Sequence, residues 1–213
     1  MILILSILVI LILFFGLIEF RIHQKSLSKI PIRIHVNGSR GKSSVVRLIA
    51  AGLRSGGVKT VAKTTGTSPR IIDEFGHDKY IHRLRSASIG EQISLIRRFS
   101  KIKPDALVIE CMAVNPQYQW ISEHKIVRST IGVMTNVRPD HLDEMGISIN
   151  QITKSMANTI PFNGNLVTAE DKQLSLLESI AKDRNSKFYS TVEDKIDNDN
   201  ISDFEYLEHK ENI

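Results

Sequence analysis

A glycine-rich stretch between an apolar run and an amphipathic run restricts the fold more than any other feature. Residues 31–36 (PIRIHV) lead directly into NGSRGKSS. From residue 42 to residue 53 the apolar side chains recur at the spacing of one helix face. The sequence therefore predicts a strand, a tight turn and a helix, with backbone N–H groups and the positive end of the helix dipole facing the turn.

This turn predicts a polyphosphate site, the alternative being a turn without a ligand. The usual G-x-x-x-x-G-K-[ST] pattern would need glycine at Val36, so the loop has the shorter form G-x-x-G-K-S. In such loops the lysine reaches the terminal phosphates and the next hydroxyl reaches magnesium. The predicted phosphate-binding residues are Gly38, Ser39, Arg40, Gly41, Lys42, Ser43 and Ser44.

The body alternates strand and helix patterns. Several runs are continuously apolar and β-branched, which is typical of parallel strands covered on both faces. Residues 71–84 are expected to form a hairpin around Gly76. This alternation predicts an α/β fold with a parallel sheet. The predicted strands are residues 58–63, 106–111, 130–137, 166–168 and 187–189, and the predicted helices are residues 89–101, 149–159 and 172–183.

Polar side chains follow two of the predicted buried strands. Glu110 closes one strand, and TNVRPDHLDEMG follows another, with Asn136, Asp140, His141 and Asp143 close together in the chain. Ligands of open α/β sheets gather at the carboxyl ends of the strands, and carboxylates are ligands for magnesium. The sequence predicts a metal site there. The alternatives are a solvated glutamate at a strand end and a capping aspartate beside a surface histidine.

Residues 2–18 form a nearly uninterrupted apolar run. As a helix the run rises about 25 Å, slightly less than a hydrocarbon core of about 30 Å, and Arg21 can snorkel. Basic residues follow the run and none precedes it, which predicts an uncleaved anchor with the body in the cytoplasm. A buried core helix or a peripheral helix are the alternatives. The predicted regions are a transmembrane anchor (1–20), a basic juxtamembrane linker (21–30) and an ATP-binding domain (31–213).

Net charge and cysteine content limit the compartment and the kind of ligand further. The single cysteine, Cys111, excludes an internal disulfide and agrees with a reducing compartment. Residues 191–213 carry a net charge of −6, which leaves +11 on the remainder of a chain whose total is +5. That excess suits an anionic ligand or an anionic leaflet. The basic residues are not interleaved with aromatic residues, so no nucleic-acid partner is expected.

The motifs together carry a family resemblance. The loop G-x-x-G-K-S, Glu110 in ECMAVNP, and N-V-x-x-D-H-x-D after the next strand resemble the central ATPase domain of Mur ligases. KTTGTSPR, IGEQ, ECMAVNPQYQW and TNVRPDHLDEMG, with the N-terminal apolar run, are similar to the membrane-anchored ligase subunits of poly-γ-glutamate synthases. The similarity spans nearly the whole chain.

The resemblance implies a ligase that uses ATP to phosphorylate a γ-carboxylate, after which the amine of a glutamate attacks the acyl phosphate. Lys42 would hold phosphates and Glu110 would join Ser43 on a first Mg²⁺, while His141 would hold a second metal. Lys42 and His141 are the implied catalytic residues. The implied partners are glutamate, the growing poly-γ-glutamate and other membrane subunits. The substrate-side candidates are Thr64, Thr67 and Arg70.

Two departures from the family pattern leave other functions open. Related ligases often carry a carbamylated lysine after the D-H-x-D stretch; Lys154 lies in that region and is left unassigned. Family members continue into a smaller C-terminal domain, so the ATP-binding domain is expected to be incomplete at its C-terminus. A folylpolyglutamate-type ligase is one alternative, favoured by the TSP stretch and disfavoured by the anchor. A non-catalytic, nucleotide-binding membrane subunit is the other.

Overall fold

The computed structural model describes residues 2–66, 68–82 and 88–191. Helices and strands alternate along most of this length. The helices are α1 (Ile2–Leu27), α2 (Lys42–Ser55), α3 (Glu91–Ile102), α4 (Pro116–Ile121), a π-helical segment (Ser122–Val127), α5 (Leu142–Met145), α6 (Ile149–Met156), a 3₁₀ turn (Ala157–Thr159) and α7 (Leu174–Asp183). The strands are β1 (Ile32–Asn37), β2 (Thr60–Thr64), β3 (Arg70–Ile72), β4 (Asp78–Tyr80), β5 (Ala106–Glu110), β6 (Ile131–Met134), β7 (Asn165–Thr168) and β8 (Lys187–Ser190).

One eight-stranded sheet has the order β4-β3-β2-β5-β1-β6-β7-β8. The six strands from β2 to β8 in this order are parallel, and β3 and β4 add an antiparallel hairpin at one edge. The predicted α/β fold with a parallel sheet is confirmed, as is the hairpin around Gly76. Because β1 lies between β5 and β6, the carboxyl ends of these three strands meet at one edge.

Apolar side chains cover both faces of the sheet. In β5, Leu107 and Ile109 belong to a buried cluster with α3 and the end of α1. Val108, between them, points to the opposite face and packs with α2 through Val46 and Ala50. Burial of alternate residues in both directions explains why β5 is apolar throughout, apart from Glu110 at its end.

Helix α1 joins the body directly. Its 18-residue apolar window has a mean hydropathy of 3.0 and none of it is buried, so by length and composition it is a candidate membrane span. The helix continues to Leu27, through residues that the sequence placed in a linker. His23, Ser26 and Leu27 are buried against the body, and Glu19 forms an ion pair with Arg97 of α3. These contacts explain why the helix does not end at residue 20.

Candidate active site

The glycine-rich loop connects the end of β1 to the start of α2. Gly38 and Gly41 have φ angles of 138° and 78°, in the region that favours glycine. Gly41 caps α2 without a side-chain hydrogen bond, and the first turn of α2 has no acidic residue. The first N–H groups of a helix have no partner within the helix. This helix start can therefore accept an anion.

The segment after β6 fixes the shape of the loop. The Ser39 amide donates to the carbonyl of Asn136 at 2.9 Å, and the Arg40 amide donates to Asn136 Oδ1 at 3.1 Å. The Ser39 hydroxyl accepts from the Arg138 amide at 2.8 Å. A Cβ on Gly38 would lie 2.1 Å from Thr135 Oγ1. The loop is therefore held in one arrangement by the neighbouring strand end, and only glycine fits at its first position.

Lys42 lies half-buried at the start of α2. Its Nζ donates to the carbonyl oxygens of Gly38 at 2.6 Å and Ser39 at 3.2 Å. The ammonium group is thus held against the loop, on the side where backbone N–H groups would meet phosphate. No carboxylate pairs with Lys42 in the described part of the chain. Its positive charge remains available to an anion.

Glu110 connects β5 to the first turn of α2. Its carboxylate is buried, and Oε2 accepts from Ser43 Oγ at 2.7 Å and from the Thr65 amide at 2.7 Å. The two oxygen ligands predicted for magnesium are therefore in direct contact. A hydroxyl beside a carboxylate suits Mg²⁺, which prefers oxygen ligands, so the donor set of Ser43 and Glu110 fits this metal.

A cavity of about 340 Å³ is lined by residues from three of the predicted motifs. Lys42, Glu110 and His141 all line it, and Asp140 and Cys111 are among the other lining residues. His141 has a left-handed φ of 45° before α5, and its Nε2 lies 3.7 Å from Asp140 Oδ1. Among the described residues, no group of three or more His, Cys, Asp or Glu side chains is placed to hold a metal ion. His141 therefore shares the cavity with Glu110 without forming a closed metal cage.

The substrate-side candidates lie elsewhere. Thr64 is buried in β2. Arg70 pairs with Asp78 at 3.4 Å, and its guanidinium lies 3.7 Å from the centre of the Tyr80 ring. Thr67 lies outside the described residues. Neither Thr64 nor Arg70 lines the cavity at Glu110, so the structure does not place them in its wall.

Several residues that line or support the site were not predicted. Thr65 and Gly66 line the cavity, and a Cβ on Gly66 would lie 3.2 Å from Ser43 Oγ. Lys63 is fully buried, with its Nζ 3.2 Å from Glu91 Oε1. All three residues lie in the stretch KTTGTSPR, residues 63–70. The signal in the sequence is the polar stretch KTTGTSPR after a strand; the candidates taken from it, Thr64, Thr67 and Arg70, did not include Thr65 and Gly66.

Other predicted residues have clear positions. Arg40 is exposed, and Ser44 is half-buried in the first turn of α2. Asp143 lies in α5 and is exposed. Lys154 is exposed on α6 and does not line the cavity. Asn136 holds the loop through its side chain, donating from Nδ2 to the Arg40 carbonyl at 3.2 Å.

Comparison with known proteins assigns the class that this fold and loop define. A family model described as the Mur ligase middle domain matches residues 36–213. The chain belongs to the Mur ligase family.

Two individual relatives resemble the chain more specifically than the family model does. The chain is 38% identical to the capsule biosynthesis protein CapB of Bacillus anthracis, over 100% of this chain and 46% of that protein. It is 39% identical to the PGA synthase CapB of Bacillus subtilis strain 168, over 94% of this chain and 52% of that protein. The chain thus spans about half the length of the curated relatives it matches.

A solved structure shares the fold at low identity. A bifunctional folylpolyglutamate synthase/dihydrofolate synthase, crystallised with Mn, AMPPNP and L-glutamate bound, superposes with a TM-score of 0.57 at 16% identity. The match covers 81% of this chain and 46% of that chain. At this identity the likeness shows the fold alone.

Proposed function

We propose that this chain handles the nucleotide in an ATP-dependent ligase that forms γ-glutamyl amide bonds during poly-γ-glutamate synthesis. The observation that carries the proposal is the contact between Ser43 and Glu110 beside Lys42, at the uncapped start of α2. Two relatives named CapB, one a capsule biosynthesis protein and one a PGA synthase, support the substrate. Glutamate and the growing polymer are the proposed substrates.

Each residue of the site has a separate task in this proposal. The amides of residues 38–44 and the Lys42 ammonium bind the phosphates of ATP and orient the terminal one. Lys42 also stabilises negative charge on the transferring phosphoryl group, the kind of electrostatic contribution that is largest in such sites. Ser43 and Glu110 would hold a divalent metal, which when bound neutralises phosphate charge. His141 lies across the same cavity and is the proposed ligand of a second metal.

The proposed cofactors are ATP and Mg²⁺. The related-fold synthase holds a nucleotide analogue and manganese together, which supports a nucleotide with a divalent metal. Magnesium is the finer proposal, based on the oxygen ligands of Ser43 and Glu110. The acyl phosphate formed from the γ-carboxylate would react with the amine of an incoming glutamate, and inorganic phosphate would leave.

The proposed location is the cell membrane, with α1 as a single span and the body on the cytoplasmic side. The apolar and unburied window of α1 supports a span, and Arg21 and Lys25 follow it on the body side. Other membrane subunits of the synthase are the proposed partners. The full chain should remain in the pellet after carbonate extraction of membranes. Release of the intact chain into the carbonate supernatant would contradict the span.

Replacing Lys42 tests the nucleotide site. Lys42→Ala should weaken Mg-ATP binding at least about tenfold, because a hydrogen bond to a charged group contributes about 1.5–3 kcal/mol. Membranes that contain the full chain should also lose glutamate-dependent phosphate release. Lys101→Ala is the matched control, since Lys101 is an exposed cation at the end of α3, away from the loop. Equal nucleotide affinity and phosphate release in Lys42→Ala and the natural chain would refute the assignment.

The same assay separates the two alternative functions. Phosphate release that depends on a folate instead of glutamate alone would indicate a folylpolyglutamate-type ligase. Retained Mg-ATP binding without release, in the presence of the partner subunits, would indicate a non-catalytic nucleotide-binding subunit.

A further inference from the structure

A second cavity, of about 750 Å³, lies between the end of α1 and the body. Gln24 and Ser28 line it from α1 and the turn that follows. Arg33 near the start of β1 and Thr130 before β6 line it from the sheet. Because the glycine-rich loop follows the other end of β1, this cavity lies at the opposite edge of the sheet from the nucleotide site.

Three cations line this second cavity. Arg33, Lys125 and Arg128 all contribute, and none of them forms an ion pair with a carboxylate in the described part of the chain. Arg33 Nε donates to the Arg128 carbonyl at 2.8 Å. Burial and the nearby positive charge of Arg128 lower the pKa of Arg33. Two guanidinium groups that repel each other would be stabilised by an anion.

Among the described residues that line the cavity, Glu123 is the only acidic one, and both of its carboxylate oxygens already have partners. Its Oε2 lies 2.8 Å from His35 Nδ1, and Oε1 accepts from the Ser129 amide at 2.8 Å and hydroxyl at 2.9 Å. Burial alone would lower the pKa of His35, but its contacts with Cys111 and Glu123 outweigh burial and raise that pKa to about 9. Both carboxylate oxygens of Glu123 are therefore engaged within the wall by His35 and Ser129, and the three cations remain the charged groups that an anion would meet.

The depth of the cavity relative to a bilayer follows from α1. The helix is continuous from Ile2 to Leu27, so Gln24 lies about 9 Å beyond Ile18, the end of the apolar run. The headgroup layer on each side of a bilayer is roughly 5–8 Å thick. Since the ion pair of Glu19 with Arg97 and the burial of His23 fix the helix end to the body, the cavity opens near the headgroups.

We propose that this cavity binds the headgroup phosphate of an anionic phospholipid in the leaflet from which α1 emerges. The proposal rests on the proposed membrane span and is independent of the ligase activity. Two exposed aromatic side chains in the lining, Trp120 and Phe162, support it, because aromatic residues are favoured at the membrane interface. Lys125 Nζ lies 5.3 Å from the centre of the Trp120 ring, so an anion that attracts Lys125 changes the surroundings of the indole.

Trp120 provides a direct assay, because it is the only tryptophan in the chain. The full chain in zwitterionic detergent micelles is titrated with a short-chain phosphatidylglycerol, a short-chain phosphatidylcholine of equal length, or inorganic phosphate. Tryptophan fluorescence and native mass spectrometry are recorded for each. We expect a saturable fluorescence change and retained lipid with phosphatidylglycerol, and a much weaker response with the other two.

Charge-neutralising variants test the residues. Lys125→Gln with Arg128→Gln should weaken phosphatidylglycerol binding about thirtyfold, since each cation near an anionic leaflet contributes about fivefold. Arg128→Lys should restore most of the affinity lost with Arg128→Gln. The matched control is Lys101→Gln with Lys103→Gln, which removes the same charge from exposed positions before β5, outside the cavity. Unfolding midpoints verify that each variant is folded. Native mass spectrometry counts bound lipids independently of fluorescence, so a substitution that changes the fluorescence of Trp120 itself does not affect the result.

Three results would overturn the proposal. Equal binding of phosphatidylglycerol and phosphatidylcholine would show that the lipid's charge is not recognised. An equal loss of affinity in the control variant would show that the lipid is attracted by the charge of the whole surface and not by this cavity. Saturation by inorganic phosphate at the same concentration would indicate a small-anion site instead of a lipid site. Failure of the membrane span itself is detected separately by carbonate extraction, so an integral chain that ignores phosphatidylglycerol refutes the lipid site alone.

Discussion

Gly38→Ala should destabilise the protein and weaken nucleotide binding together. The φ angle of Gly38 is 138°, and a backbone held in a region that favours glycine costs a larger residue about 1–3 kcal/mol. The added Cβ would also lie 2.1 Å from Thr135 Oγ1 and 3.0 Å from the Asn136 carbonyl. Overpacking of this kind costs about 1–3 kcal/mol. We expect the free energy of unfolding to fall by about 2–6 kcal/mol.

Relaxation around Gly38 is limited because its neighbours are already bonded. Thr135 Oγ1 donates to the Arg40 carbonyl at 2.7 Å, so moving the hydroxyl away from a new methyl group breaks a bond that shapes the loop. The loop amides then shift, and we expect Mg-ATP affinity to fall along with stability. Urea unfolding followed by circular dichroism gives the first quantity, and a fluorescent ATP analogue gives the second.

A matched glycine in the next helix is the control. Gly52 lies within α2, and a Cβ there would meet nothing within 4 Å, so Gly52→Ala should stabilise the protein by about 0.5–1 kcal/mol. In the double variant Gly38→Ala with Thr135→Ala, the steric part of the cost should be relieved, which a double-mutant cycle detects. If Gly38→Ala proves as stable as the natural chain and binds ATP equally well, the close approach of Gly38 to Thr135 is not a constraint on the loop.

Two further predictions concern Glu110 and His35. Glu110→Gln should weaken Mg-ATP binding about tenfold or more while leaving metal-free ATP binding nearly unchanged, because the amide is a poorer metal ligand. Calorimetry with and without a chelator measures the two affinities. Equal losses of affinity with and without the metal would contradict a metal role for Glu110. The pKa of His35 is raised to about 9 in the folded protein, above about 6.5 in the unfolded chain, so its stabilisation is complete below pH 6.5 and is lost as pH rises through 9. We expect the free energy of unfolding to fall by about 3 kcal/mol over that pH range, measured by urea unfolding. Glu123→Gln should flatten this dependence of stability on pH. An equally steep dependence in both proteins would show that His35 is not the responsible group.

The sequence predicted the loop and the strand ends well because both depend on local patterns. The apolar runs before Gly38 and Glu110 define buried strands, and the carboxyl ends of parallel strands share an edge. The sequence did not show that β1 and β5 are neighbours, since β2, β3 and β4 lie between the loop and Glu110 in chain order. In the sheet, Val36 pairs directly with Glu110, which brings the Glu110 carboxylate to Ser43. Strand order depends on how the helices cover the sheet, and periodicity does not report that.

The helical segment after β5 was not predicted for a related reason. Residues 116–127 contain few apolar positions at helical spacing, and the segment changes from α to π geometry at Ser122. Its start was visible in the sequence: Asn115 caps the helix by accepting from the Gln117 amide at 3.0 Å, and Pro116 occupies the first helical position, where proline is favoured. A capping signal without an apolar stripe indicates where a helix can begin, but not that it continues.

The rigid junction between α1 and the body sets a geometric limit on any product made at the nucleotide site. β1 begins within a few residues of Leu27 and ends at Asn37, so its six residues separate the helix end from the glycine-rich loop by about 20 Å. Burial of His23 and Leu27 leaves little freedom to tilt the body and shorten this gap. A product attached at the loop would therefore lie about 20 Å, measured along β1, from the end of α1. In the proposed synthase, this spacing would set how far a growing chain must extend from the loop to reach α1.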